Sequence, residues 1–295
     1  MSGLSSSIVV VVPTFNERSN LPLLATQLMQ STPYAMLVVD DQSPDGTGEI
    51  ADRLSVQYPG RINVLHRQPP RGLGLSYVDG MRRALELGAE RVCQMDADLS
   101  HDPQYLAALV DATRDADVAV GSRYVTGVSV ANWPVHRLML SLAANHYART
   151  VTRLKVADVT SGFKCWRREA LATVLDKPLR SGGYALQFEM LFHAAAEGQR
   201  IIEVPIIFVE RRQGASKMSG RVIRESLFRP WQLMLTRVAS RSPLAPPMRA
   251  PGPLTKEQKT VERLGAEVRG RGPLPPATNS LLRQRDRVDD VNDAV

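Results

Sequence analysis

Ile8–Val12 is an unbroken β-branched run, IVVVV, with no polar position inside it. A strand of that kind has no wet face, so its sheet must be covered on both sides. Met36–Asp40, Ile62–His66, Arg91–Asp96 and Val118–Gly121 read as further strands. Between them, Leu21–Gln30, Thr47–Tyr58, Leu75–Leu87 and Pro103–Arg114 space their apolar residues as helices do. Asp102 stands as an N-cap, with proline at the first helical position after it. The alternation predicts an α/β fold, a mainly parallel sheet with helices on both faces. Ligands of such sheets bind beyond the carboxyl ends of the strands.

Several classes are excluded early. No apolar run approaches the ~20 residues that span a bilayer. The opening MSGLSSSIVVVVPTFNE lacks the basic start and small-residue cleavage site of a signal peptide. Cys93 and Cys165 are too few for a disulfide framework or a zinc site, and they fit a reducing compartment. The net charge is +7, with arginine outnumbering lysine 31 to 6, which suits anionic partners or a merely solvated basic surface. From Arg241 to Val295 there is no aromatic residue, and 8 of the 20 prolines fall there. That segment cannot offset its ordering entropy and is expected to be a mostly disordered tail on a domain of residues 1–240. No internal repeat is visible.

Chemistry-bearing residues gather at the strand ends. The first strand ends in Pro13-Thr14-Phe15-Asn16-Glu17, where a dinucleotide fold would carry G-x-G-x-x-G. The one glycine-rich piece, Arg71-Gly72-Leu73-Gly74-Leu75-Ser76-Tyr77, has Tyr77 in place of the third glycine, so a nicotinamide enzyme is disfavoured. The second strand ends in Asp40-Asp41-Gln42-Ser43-Pro44-Asp45-Gly46. Pro44, Asp45 and Gly46 make a turn, and the adjacent Asp40 and Asp41 offer acceptors to hydroxyls or base N–H groups. The fourth ends in Met95-Asp96-Ala97-Asp98-Leu99-Ser100-His101. Asp96 and Asp98, two apart in extended backbone, would point the same way, an arrangement that suits a hard divalent cation shared with a diphosphate.

Isolated cations follow in apolar surroundings. Arg123 comes just after the fifth strand, Arg137 lies in WPVHRLMLS, and Lys217 ends FVERRQGASK. Guanidinium forks match phosphate oxygens.

VVVPTFNE, DDQSPDGT, RGLG, MDADLSH, GSRY, W-P-x-x-R-x-x-x-S, SGFK, GGYALQFEM and FVERRQGASKM occur in that order. Together they resemble the polyprenol/dolichol-phosphate mannose synthases among the family 2 glycosyltransferases, over roughly residues 6–236. The resemblance implies a Rossmann-like GT-A fold and transfer of mannose from GDP-mannose to a polyprenyl monophosphate, with inversion. It implies a nucleotide-sugar site of Pro13, Phe15, Glu17, Asp41 and Asp45, closed by Arg211 and Lys217. Asp96, Asp98 and the Ser100 position would hold Mg2+ or Mn2+, with Ser100 acting directly or through water. Arg123, Arg137 and Ser141 would grip the acceptor phosphate, so Asp96, Asp98, Arg123 and Arg137 form the implied catalytic set. Glu189 matches an acidic position without an assigned role.

A lipid acceptor implies work at the cytoplasmic face of a membrane, by a peripheral protein that could use a membrane-embedded partner. Ala131–Val151 and Arg221–Ser240 mix apolar anchors, Trp133 and Trp231 among them, with arginines including Arg229, as interfacial helices do. Transfer of glucose or another sugar is the alternative within enzymes. A non-catalytic binder should have lost one of the aspartates or arginines retained here. Nucleic acid is not an expected partner, because no basic stripe with interleaved aromatics exists.

Overall fold

A computed structural model describes residues 5–131, 133–183, 185–209 and 227–235. Strands β1 (Ile8–Thr14), β2 (Ala35–Asp40), β3 (Ile62–His66), β4 (Arg91–Gln94) and β5 (Val118–Ser122) alternate with helices α1 (Leu21–Ser31), α2 (Thr47–Gln57), α3 (Leu73–Glu86) and α4 (Leu106–Ala112). Then come β6 (Val130–Ala131), α5 (Val135–Thr152), β7 (Lys164–Arg167), α6 (Arg168–Leu175), α7 (Ala185–Ala196), β8 (Ile201–Pro205) and β9 (Phe208–Val209). Residues 227–235 are helical.

Seven strands form one sheet in the order β3-β2-β1-β4-β7-β5-β8, and β6 pairs with β9 in a small second sheet. All neighbours in the large sheet are parallel except β7, which runs antiparallel to both β4 and β5. The α/β architecture expected from the apolar runs is the one observed.

The pleat of β1 divides the core. Val9 and Val11 join Leu37, Val39, Tyr77, Met81, Trp166 and Leu191 on one face; Val10 and Val12 join Leu24, Leu28, Met36, Val38 and Leu109 on the other. Gly80 lets α3 press onto the sheet, since a Cβ there would lie 2.6 Å from both Val11 Cγ1 and Val39 Cγ2. Cys93 and Cys165 face each other in register across β4 and β7, both buried and free.

Strand order reverses at β1, which pairs with β2 on one side and β4 on the other. A crevice opens beyond the carboxyl ends of strands at such a switch point. Asp102 caps as expected, accepting from the Gln104 N–H at 2.9 Å. The helix expected over 103–114 is instead a 3-10 turn, Pro103–Tyr105, running into α4. Among the described residues no helix is long and apolar enough to cross a membrane. The tail expected from residue 241 lies outside the described residues.

Candidate active site

A cavity of about 320 Å³ lies at the switch point, lined by Pro13, Phe15, Glu17, Asp41, Asp96 and Asp98 together with Arg71, Gly72, Ser76 and Gly182–Gly183. Six of the residues expected from the strand ends thus share one space.

Each is fixed locally. Asp41 is buried and accepts from Arg67 Nη1 and from the Gly72 N–H at 2.8 Å; Arg67 also reaches Asp79 at 2.8 Å. Arg71 lies over the Phe15 ring, 5.0 Å from its centroid, and donates to the Gln42 carbonyl at 2.8 Å. Glu17 is set by its backbone N–H, which donates to Thr47 Oγ1 at 3.0 Å.

Asp45 takes a different place. It is not among the residues lining the cavity. Its carboxylate accepts from Thr47 N–H, Thr47 Oγ1 and Arg18 N–H at 3.0, 2.6 and 3.2 Å, building the turn into α2. Although burial works the other way, these bonds hold the carboxyl below its ordinary range. The turn read from Pro44, Asp45 and Gly46 is thus where the structure places Asp45.

Asp96 and Asp98 do share the cavity, but the pleat is not the reason. β4 ends at Gln94, and a bend follows in which Leu99 has φ +62°. The bend is braced by Ser100, whose N–H and Oγ donate to Asp98 Oδ1 at 3.1 and 2.5 Å. Asp96 Oδ1 accepts from Tyr77 Oη at 2.6 Å, so the residue that breaks the glycine fingerprint orients a carboxylate instead. The Asp96 N–H donates to Nδ1 of His101, whose ring is buried and stacked on Phe163 at 4.8 Å. Burial pushes the His101 pKa down, which keeps that nitrogen an acceptor. Among the described residues no group of three or more His, Cys, Asp or Glu could hold a metal. The protein's oxygen donors here are two carboxylates.

A second cluster lies around α5. Arg123 and Asp158 pair in a fork, and Arg123 Nη2 also donates to Thr160 Oγ1 at 2.8 Å. Arg123 was expected to grip a ligand phosphate; most of its donors are instead spent on this pair. Its guanidinium also sits over Tyr124, Trp133 and Phe208, 5.1–5.7 Å from their centroids. Arg137 lies over the same Trp133 ring at 4.4 Å, and Ser141 Oγ is 2.8 Å from Tyr124 Oη. The Trp133 indole N–H is buried and meets no acceptor among the described residues. Arg211 and Lys217 lie outside the described residues.

Sequence reasoning passed over Arg67 and Asp158, and it gave no role to Arg71, Tyr77 and His101 within their motifs. Nor did it give one to Lys164 of SGFK, which is fully buried in β7 and donates to the Ser161 carbonyl and, at 2.6 Å, to Gln187 Oε1; burial pulls its pKa down to about 7.

The glycosyl transferase family 2 model matches residues 9–175. The chain belongs to that family. This glycosyltransferase is 44% identical over 223 residues to the polyprenol monophosphomannose synthase of Mycolicibacterium smegmatis, covering 75% of this chain and 84% of that protein. It is 42% identical over 221 residues to the undecaprenyl-phosphate mannosyltransferase of Micrococcus luteus, covering 75% and 90%. Its fold is shared with a Pyrobaculum calidifontis mannosyltransferase solved with GDP-Man and Mn2+, at TM-score 0.52 and 18% identity over 97% of this chain and 81% of that one. The same holds for glucosyl-3-phosphoglycerate synthase from Mycobacterium tuberculosis, solved with Mn2+ and UDP-glucose, at TM-score 0.54 and 16% identity over 77% and 80%.

Proposed function

We propose that this glycosyltransferase moves mannose from GDP-mannose to a polyprenyl monophosphate with inversion at the anomeric carbon. The observation that carries the reading is identity of 42–44% over three quarters of the chain to two enzymes named for mannose transfer to polyprenols. The cavity's carboxylates and the cationic, aromatic cluster around Arg137 supply chemistry that suits it.

The donor set fits a divalent cation, Mg2+ or Mn2+. Asp96 and Asp98 would hold it through hard carboxylate oxygens. Bound there, the ion would supply positive charge against the departing nucleoside diphosphate. Tyr77 and Ser100 keep the two carboxylates oriented. Asp41 and Glu17 offer acceptors to the nucleoside, Phe15 and Arg71 flank it, and Arg211 and Lys217, outside the described residues, supply cations of the kind a diphosphate needs.

Arg137 and Ser141 bind the acceptor phosphate, with the Trp133 indole N–H as a further donor. Arg123 holds the aromatic box behind them. A phosphate monoester is already anionic, so no general base is required of these residues. They bring one anion up to another, a repulsion the cations offset.

The acceptor's chain places the enzyme at a membrane surface, on the cytoplasmic side. Helix 227–235 is inverted for a protein in water: Arg229 and Leu233 face inward, while Leu227, Phe228, Trp231 and Leu235 are 50–68% exposed. Val135, Met139 and Leu140 of α5 are exposed apolar side chains as well. Such a face suits the headgroup boundary of a bilayer.

The test is incubation with a panel of nucleotide sugars, Mn2+ and a short polyprenyl phosphate, with products identified by mass spectrometry. Polyprenyl-phosphate mannose formed from GDP-mannose alone is expected. Preference for another sugar nucleotide, or no lipid product, overturns the reading.

A further inference from the structure

Glu189 on α7 is fully buried and answers three donors. Its two oxygens accept from the backbone N–H groups of Arg180 and Ser181 at 3.1 and 2.9 Å, and from Arg229 Nη2. His193 Nε2 stands 3.8 Å away. The first two donors belong to the strand of chain that continues into Gly182 and Gly183, one wall of the cavity. The third comes from helix 227–235, whose other side carries Phe228 and Trp231.

The wall is gripped from its opposite side too. Gly182 O accepts from the Gly74 N–H at 2.9 Å at the start of α3. A Cβ on Gly74 would lie 2.8 Å from Ser181 O, so the two backbones already touch. The wall therefore has two anchors: α3, which also carries Tyr77, and Glu189. Only the second depends on a neighbouring element's charge.

In the outer helix Leu233 and Met234 pack on the core, Pro230 is buried, and Tyr147 Oη of α5 donates to the Leu227 carbonyl. Arg229 is its charged contact inward, and it terminates on the carboxylate that holds the wall. A buried carboxylate stripped of its cation is strongly destabilised, so helix position and wall position are linked through one group.

We propose that Glu189 is a positioning residue for the sugar-nucleotide donor, latching the 180–183 wall of the cavity to helix 227–235 through Arg229. Whatever seats or unseats that helix, a lipid surface in the reading above, then alters donor binding. The surroundings of Glu189 set its ionisation accordingly: although burial opposes it, nearby His193 and the donors from Arg229 and the 180–181 segment hold the carboxyl down at about 2.

The inference rests on the donor reading of the cavity, and its test separates the two. Arg229→Met in the full-length protein removes the helix's grip and leaves the backbone bonds to Glu189. Amide hydrogen exchange across 179–183 should quicken, and the dissociation constant for GDP with Mn2+ should rise about tenfold, the scale of an ordinary coupling between sites. Arg229→Lys should recover much of both. A merely structural role would lower thermal stability and leave the affinity of the folded fraction unchanged. If Arg229→Met does not fold, Glu189→Gln with Arg229→Met, which leaves no unpaired buried charge, is measured the same way. Unchanged exchange, or unchanged GDP affinity in a folded variant, overturns the latch. If the wild type itself fails to bind GDP, the donor reading falls, and exchange, which needs no ligand, decides the latch alone.

Discussion

Arg123 meets Asp158 through two bonds, Nε to Oδ2 and Nη2 to Oδ1, each 2.6 Å long. Asp158 is fully buried and also accepts from the Arg123 N–H at 3.1 Å. Burial alone would lower the arginine's pKa, but the facing carboxylate's charge and hydrogen bonds raise it. The pair fixes where β5 leaves the sheet, and with it the aromatic box over which Arg137 lies.

Arg123 and Arg137 should therefore fail differently. Arg123→Ala leaves a buried carboxylate unpaired and should cost about 3–5 kcal/mol of stability. Arg137→Ala should leave the thermal midpoint nearly unchanged and raise the requirement for polyprenyl phosphate ten- to a hundredfold, the worth of a charge-assisted contact of ~1.5–3 kcal/mol. Thermal melts and steady-state kinetics on both variants decide this. A change confined to the sugar-nucleotide requirement would put Arg137 at the wrong site.

Tyr77 offers a milder handle on the metal than the aspartates. Asp96→Ala or Asp98→Ala should abolish transfer. Tyr77→Phe removes one 2.6 Å bond and no volume from the core, so Asp96 keeps its place but loses its orientation. Mn2+ affinity should fall about ten- to a hundredfold, as when a ligand's supporting hydrogen bond is removed. Titration of activity against Mn2+ reads this directly. Near-normal turnover of Asp96→Ala or Asp98→Ala, or full activity of the wild type in excess EDTA, counts against the assignment.

The layered sheet was legible because IVVVV admits no other environment and the helical spacings between strands are regular. The positions of Pro13, Phe15, Glu17, Asp41, Asp96 and Asp98 were legible for the same reason: strand ends at a switch point converge. What sequence could not supply was pairing. Asp158 lies 35 residues from Arg123, and Asp41 lies 26 from Arg67. Nothing local marks either carboxylate as a partner rather than a ligand. Arg229 misled for a related reason. Among apolar neighbours it reads as an interfacial cation, whereas Glu189, 40 residues earlier, draws it inward. β7 also escaped notice, since it has only two apolar residues, Cys165 and Trp166, set between Lys164 and Arg167.

Glu189 should leave a mark on the acid limb of stability. Its folded pKa, about 2, lies below its ordinary value of 4.5. The contribution is thus full above pH ~4.5 and is lost as pH falls towards 2. Glu189→Gln should be least stable relative to wild type at neutral pH, and the gap should narrow steadily below pH ~4.5. Melts of both proteins between pH 7 and pH 3 test the sign. A gap independent of pH would mean that the carboxylate's charge is not what holds the wall.

The exposed face of helix 227–235 makes the last prediction. Trp231 is 57% and Phe228 60% exposed, and neither has a core to enter while Arg229 and Leu233 face inward. Burying a large apolar side chain is worth ~1.5–3 kcal/mol, so Trp231→Ala should weaken vesicle binding about tenfold. Met139→Ala, at an exposed apolar position of α5, should act in the same direction. Arg229 was expected to contribute to that binding as a surface cation, but in its buried place it cannot touch headgroups, so Arg229→Lys should bind vesicles as wild type does. Removing 244–295 should leave both binding and catalysis largely intact, because the described apolar face lies in residues 227–235. Flotation with anionic vesicles at low and high salt measures all four proteins alongside wild type. If the truncated protein is lost from the vesicles while Trp231→Ala stays on them, the anchor is the tail, and the inverted helix faces something other than lipid.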